Sequence, residues 1–166
     1  MKLCSSKQIF VVIFGLIFSI SVLAQSEKYK AMRVDLRVLN YYYQDEYVKN
    51  KNIDDIFKKI VKYRDNPDLG LTEYASKTEI AGLKDFEILQ DKRDLQTLEI
   101  YRKYQTNEYV VLMDEYNLDR KQLRILLATK KITWRQFVDD LEILIIKNRA
   151  KEKEYWEPRD YPKEAA

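Results

Sequence analysis

Between Ser26 and Asn50 there is neither Gly nor Pro, and Met32, Leu36, Leu39, Tyr43 and Tyr47 recur at spacings of four, three, four and four. That period places them on one face of a long helix. Val34, Val38 and Tyr41 widen the apolar arc, so this helix is expected to meet neighbours on more than one side. Asn52 offers a side-chain acceptor for a second helix, Asp54 and Asp55 suit its first turn, and Ile53, Ile56, Phe57, Ile60 and Val61 form its stripe. The run Asn66-Pro67-Asp68-Leu69-Gly70 predicts a loop. Thr72 to about Tyr104 then reads as helix, with a weak point at Ala81-Gly82 where a break or kink is expected. Within it, Asp91, Lys92, Arg93 and Asp94 read as a solvated charge cluster. Glu108 to Tyr116 reads as a short helix; Tyr109 to Met113 also suits a strand, but a lone strand has no partner.

The C-terminal pattern is the most regular. Asp119 is placed to cap a helix carrying Leu123, Leu126 and Leu127, and Thr133 with Gln136 fits a reciprocal capping box for another. Trp134, Phe137, Val138, Leu141, Leu144 and Ile145 follow at helical spacing. The expected fold is all-α: a single compact helical domain over residues 26–155, of about five to six helices. It ends in a helical hairpin at residues 119–155 that turns at Lys130 to Ile132, followed by an extended tail at residues 156–166 that holds Pro158 and Pro162.

The first residues have a different character. Lys2 and Lys7 are the only charges before Glu27, an apolar stretch runs from Ile9 to Phe18, and Val22 and Ala24 stand at the minus-three and minus-one places of a cleavage site. Residues 1–24 are therefore read as a cleaved signal peptide. The rival reading is a retained anchor, since Gln8 to Ser26 is an uncharged run of 19 residues. Gly15, Ser19 and Ser21 interrupt that run and favour removal. Cys4 lies too early to be a lipidated residue at the cleavage point.

Composition then narrows the chemistry. The chain of 166 residues has no His and a single Cys, so His-based triads, Cys-His dyads, the usual zinc ligand sets and disulfide frameworks are excluded. Gly and Pro number three each, too few for the turns of a sandwich or barrel. Loss of Lys2 and Lys7 with the leader lowers the 30 basic residues to 28 against 27 acidic ones. A near-neutral exported chain is not expected to bind nucleic acid. Export without cysteines fits a bacterial periplasm or the exterior. The adjacent carboxylates Asp54-Asp55, Asp114-Glu115 and Asp139-Asp140 diverge on a helix and read as solvated faces. No calcium-loop spacing occurs, so no metal or other cofactor is expected.

Leu123, Leu126, Leu127, Ile132, Thr133, Phe137, Leu141 and Leu144 resemble the bacterial short C-terminal domain family over residues 119–147. The resemblance implies a compact hairpin with an Ile-Thr turn and a role in association rather than catalysis. Lys130 replaces the family's usual Gly before the Ile-Thr, and Gln136 its usual Glu.

Thirteen tyrosines are the most unusual feature of the composition. Most suit helix flanks, but Tyr41, Tyr42 and Tyr43 point about 100° apart on a helix and cannot all enter one core. With Tyr47 they form a candidate protein-binding patch. The expected function is therefore that of an exported, non-catalytic helical protein that binds another envelope protein, an inhibitor or immunity-type protein being one form. It would have no stable membrane insertion once the leader is removed. A small glycan-cleaving envelope enzyme using dispersed carboxylates and a membrane-anchored scaffold are the alternatives. Mass spectrometry of the chain from fractionated cells is expected to show the first 24 residues removed; an intact chain in the membrane fraction would favour the anchored scaffold.

Overall fold

Among the described residues five helices follow one another: α1 (Ser6–Lys49), α2 (Lys51–Asp65), α3 (Lys77–Tyr104), α4 (Asn107–Ala128) and α5 (Trp134–Trp156). The computed structural model describes the backbone of residues 6–156 and the side chains from Glu27 onward. The leader reading of residues 1–24, which rests on side-chain character, and the tail from residue 157 lie outside the described residues. Among the described residues there is no strand, and no helix is long and apolar enough to cross a membrane.

Local chemistry starts most of these helices. The Asn50 side chain accepts from the N–H groups of Asn52 and Ile53. The cap of α2 is thus Asn50 rather than the predicted Asn52, because the helix begins as soon as one residue breaks the path of α1. Ser76 and Glu79 form a full capping box at α3, and Thr106 accepts from the Tyr109 N–H to start α4. At α5 the Thr133 N–H donates to the Gln136 side chain at 2.9 Å and the Gln136 N–H returns to Thr133 Oγ1 at 3.2 Å, as the sequence predicts.

Two expected boundaries are absent. Helix α3 runs unbroken through Ala81-Gly82. Gly82 is needed for a close approach instead of a kink: a Cβ there would lie 3.0 Å from the Asn52 carbonyl oxygen at the start of α2. Helix α4 joins the two predicted segments, so Asp119 is an exposed interior residue and not a cap. Nothing between Asn107 and Ala128 breaks a helix, and Arg120, which also donates to Asn117 one turn before it, ties this stretch to Asp94 of α3. Tyr109 to Met113 is helical.

Helix α3 is the hub, packed by α1, α2 and α4, while α5 lies on α4 and α2. Apolar residues gather at two levels. At one, Ile56, Tyr63, Leu83, Leu127, Trp134, Phe137 and Val138 meet; at the other, Met32, Leu98, Tyr101, Tyr109, Val110, Met113 and Tyr155 do. Between them, in opposite order along the antiparallel α3 and α4, lies a polar belt. Arg124 grips Glu87 at 2.5 Å, Lys121 meets Asp91 at 2.7 Å, and Arg120 meets Asp94 at 3.1 Å. Asp91 and Asp94 are therefore interhelical anchors rather than the solvated cluster expected from sequence. Their neighbour Arg93 reaches Asn40 of α1 at 2.7 Å.

Lys130, in the turn before α5, has φ 57, the left-handed conformation in which Gly is less strained. Trp156, placed by sequence at the head of the tail, closes α5 and stacks edge-on to Tyr29, with ring centroids 6.5 Å apart.

Two stability predictions follow from the hairpin. Phe137 is buried against Trp134, so Phe137→Ala is expected to cost about 3 to 5 kcal/mol in a denaturant melt. Lys130→Gly, relieving the positive φ, is expected to add about 1 kcal/mol in the same measurement.

Candidate interaction surface

The four tyrosines of the predicted patch part company on α1. Tyr41 and Tyr42 are 64% and 58% exposed, whereas Tyr43 is 3% exposed and faces α3. Tyr47 is half-buried: its hydroxyl donates to the Gln90 side chain at 2.9 Å, and its ring leans on Phe57 and Phe86. Burial raises the pKa of both inner tyrosines, Tyr42 adding to the effect at Tyr43, so they remain neutral structural groups. Only Tyr41 and Tyr42 offer their rings to a partner. The Tyr42 ring stands edge-on to Tyr43, centroids 5.1 Å apart, which fixes an exposed ring on a buried base.

Beside Tyr42, α1 and α3 enclose a groove of about 830 Å³. Val38, Leu39, Leu95 and Ile100 supply its apolar lining; Asp35 and Lys92 add one charge of each sign. Asp35 accepts from the Tyr104 hydroxyl at 2.7 Å and from Lys103, and these bonds lower its pKa, so it is ionised at neutral pH. The exposed side chains Val38, Tyr42 and Leu95 give the groove an apolar mouth. Sequence reasoning had no means of finding Leu95, because its place on the solvent side of α3 beside α1 follows from the pairing of the two helices.

The other tyrosines explain much of the unusual composition. Tyr109 donates to Glu152 at 2.7 Å, Tyr155 shares a hydrogen bond with Thr106, and Tyr63 bonds Glu73. Each buries a ring while its hydroxyl ties a neighbouring element. Burial, reinforced by Tyr101 and Glu152, drives the Tyr109 pKa far upward, so its hydroxyl is permanently protonated.

A second charged cluster surrounds Lys59, which contacts Glu73 and Glu79 and lies 5.0 Å from the centre of the Trp134 ring. Hydrogen bonds from Lys59 and Tyr63 hold Glu73 below the ordinary carboxylate range. Burial alone would raise Glu79, but Lys59, the Ser76 N–H and Trp134 outweigh it and the net shift is downward. The cluster joins α2, the following loop, the start of α3 and α5, with every charge paired, and its geometry is that of a structural clasp. Of the adjacent carboxylates, Asp54 pairs with Lys58, Asp139 with Arg135 and Glu115 with Lys151. Among the described residues no group of three or more Cys, Asp or Glu is placed to hold a metal ion.

Comparison with models of protein families, with curated proteins and with solved structures finds no match to this chain.

The clasp predicts a pH dependence. Carboxylates with depressed pKa values stabilise the fold fully above their unfolded value of 4.5, and that contribution disappears as pH falls through the lowered values. Lys59→Met is expected to cost about 1 to 3 kcal/mol at neutral pH and to flatten the acid limb of a stability-against-pH curve measured by denaturant melts.

Proposed function

We propose that this chain is an exported, non-catalytic helical protein that acts by binding another protein of the bacterial envelope, with the groove between α1 and α3 as its contact surface. The observation that carries this reading is the groove itself: an exposed Tyr42 held on a buried Tyr43, beside Val38 and Leu95. An exposed aromatic ring of fixed orientation contributes contact area with little loss of rotamer freedom, as recognition surfaces require. The likeness of residues 119–147 to a family of association modules supports the same class. The ionisable groups of the interior are engaged in holding helices together, which favours binding over catalysis.

Tyr42→Ala is expected to leave the denaturant midpoint nearly unchanged and to weaken partner capture about tenfold or more, the effect of losing an anchor residue. The measurement is photo-crosslinking from position 42 in intact cells, followed by identification of the attached protein and by binding assays with that protein. Tyr42→Ala protein that unfolds, or that binds its partner as tightly as before, overturns the groove as the contact surface.

A further inference from the structure

Another groove, of about 550 Å³, lies between α4 and α5. Val111 and Leu112 give it an apolar lining, and Val111 is 56% exposed. Around them stand the carboxylates Glu108, Glu115 and Glu154 and a single cation, Lys151, so negative charge is in excess. Lys151 meets Glu115 at 3.6 Å, with both side chains more than half exposed. The groove opens beside the end of α5: Tyr155 lines it, and the helix closes one residue later at Trp156.

The sequence that follows is matched to this groove. Pro158 cannot continue a helix and favours a change of direction. Beyond it, an extended chain sends successive side chains to opposite sides. Arg159, Tyr161 and Lys163 then share one side, and the acids Asp160 and Glu164 share the other.

We infer that residues 157–166 fold back as a strap over α4 and α5, with Arg159 beside Glu108 and Glu154, Tyr161 over Val111, and Lys163 beside Glu115. The spacings agree. Arg159 and Lys163 stand about 13 Å apart in an extended chain, and Glu108 and Glu115 about 10 Å apart along α4. Tyr155 is bonded to Thr106, which sets the level at which the strap begins. Glu115 lies about 14 Å further along α4, and the seven residues from Trp156 to Lys163 extend about 23 Å, enough for the turn and the return path. The Tyr161 ring covers an apolar contact at little cost in rotamer freedom, while the flanking ion pairs, individually weak, set the register. A segment joined to the mouth of the groove is present there at an effective concentration in the millimolar range, an advantage that a second copy or a separate protein lacks. The inference is independent of the groove between α1 and α3, since no residue lines both.

The test uses the full chain with Cys4→Ser, which removes its only cysteine. Paired cysteines at Glu115→Cys and Lys163→Cys are expected to form a disulfide within one chain on mild oxidation, identified by mass spectrometry of the digested monomer. The control pair is Arg102→Cys with Lys163→Cys. Arg102 is exposed and one turn from Thr106, so a tail without a docking site would reach it as readily as Glu115. Little linking is expected there. Tyr161→Ala and Arg159→Glu, each added to the first pair, are expected to cut its linking about fivefold. Equal linking at Arg102 and Glu115, or a Glu115 yield that neither change reduces, would overturn the strap. Links formed only between chains would overturn it as well and give the groove to a second copy.

Discussion

The antiparallel register of α3 and α4 rests on the ladder Glu87–Arg124, Asp91–Lys121 and Asp94–Arg120. Apolar faces built from Leu, Val and Met can slide past one another at modest cost, but displacing this ladder by one turn would leave partly buried charges without partners. The ladder thus decides which apolar residues share a level. It places Leu98 and Tyr101 beside Tyr109 and Met113, and Leu83 beside Leu127. The belt contributes specificity more than net stability, since taking these ions out of water is itself costly. Arg124 recovers part of that cost by lying over the Phe86 ring, 5.4 Å from its centre.

The same logic extends to the ends of the bundle, where few glycines or prolines shape the connections. The segment from Asn66 to Ser76 is held by side chains reaching in from the helices. Arg135 donates to the carbonyls of Tyr63 at 2.5 Å and of Pro67 at 3.2 Å, closing the C-terminus of α2. The Trp134 N–H donates to the Glu73 carbonyl at 2.8 Å, and Lys59 pairs with the Glu73 side chain. Tyrosine is the natural residue for such a molecule: it fills apolar space, and its hydroxyl secures a neighbouring helix or loop.

Helix α1 stands at the edge of this assembly, and its three sides meet different surroundings. Met32, Tyr43 and Tyr47 turn inward, Tyr42 and Val38 border the groove, and Tyr41 and Val48 face away from α3. Because the helix is held through one side only, its remaining apolar residues are open to other molecules. Contact surface is therefore concentrated on the element least committed to the core.

Much of the architecture was legible in the sequence because it depends on local periodicity and capping. The helical class, the loop at Asn66 to Gly70, the Thr133–Gln136 box and the burial of Phe137 all follow from residues within a few positions of one another. The S-x-x-E spacing of Ser76 and Glu79 carried the same kind of signal for the start of α3. The uninterrupted courses of α3 and α4 were settled elsewhere. Gly82 resembles a break until Asn52 lies against it, and Asp119 resembles a cap until the neighbouring Arg120 is tied to α3. For the tyrosines, consecutive positions on a helix required that some point outward. Which ones do so was decided by the side of α1 that α3 covers, a contact between residues about 50 positions apart whose energy no local pattern records.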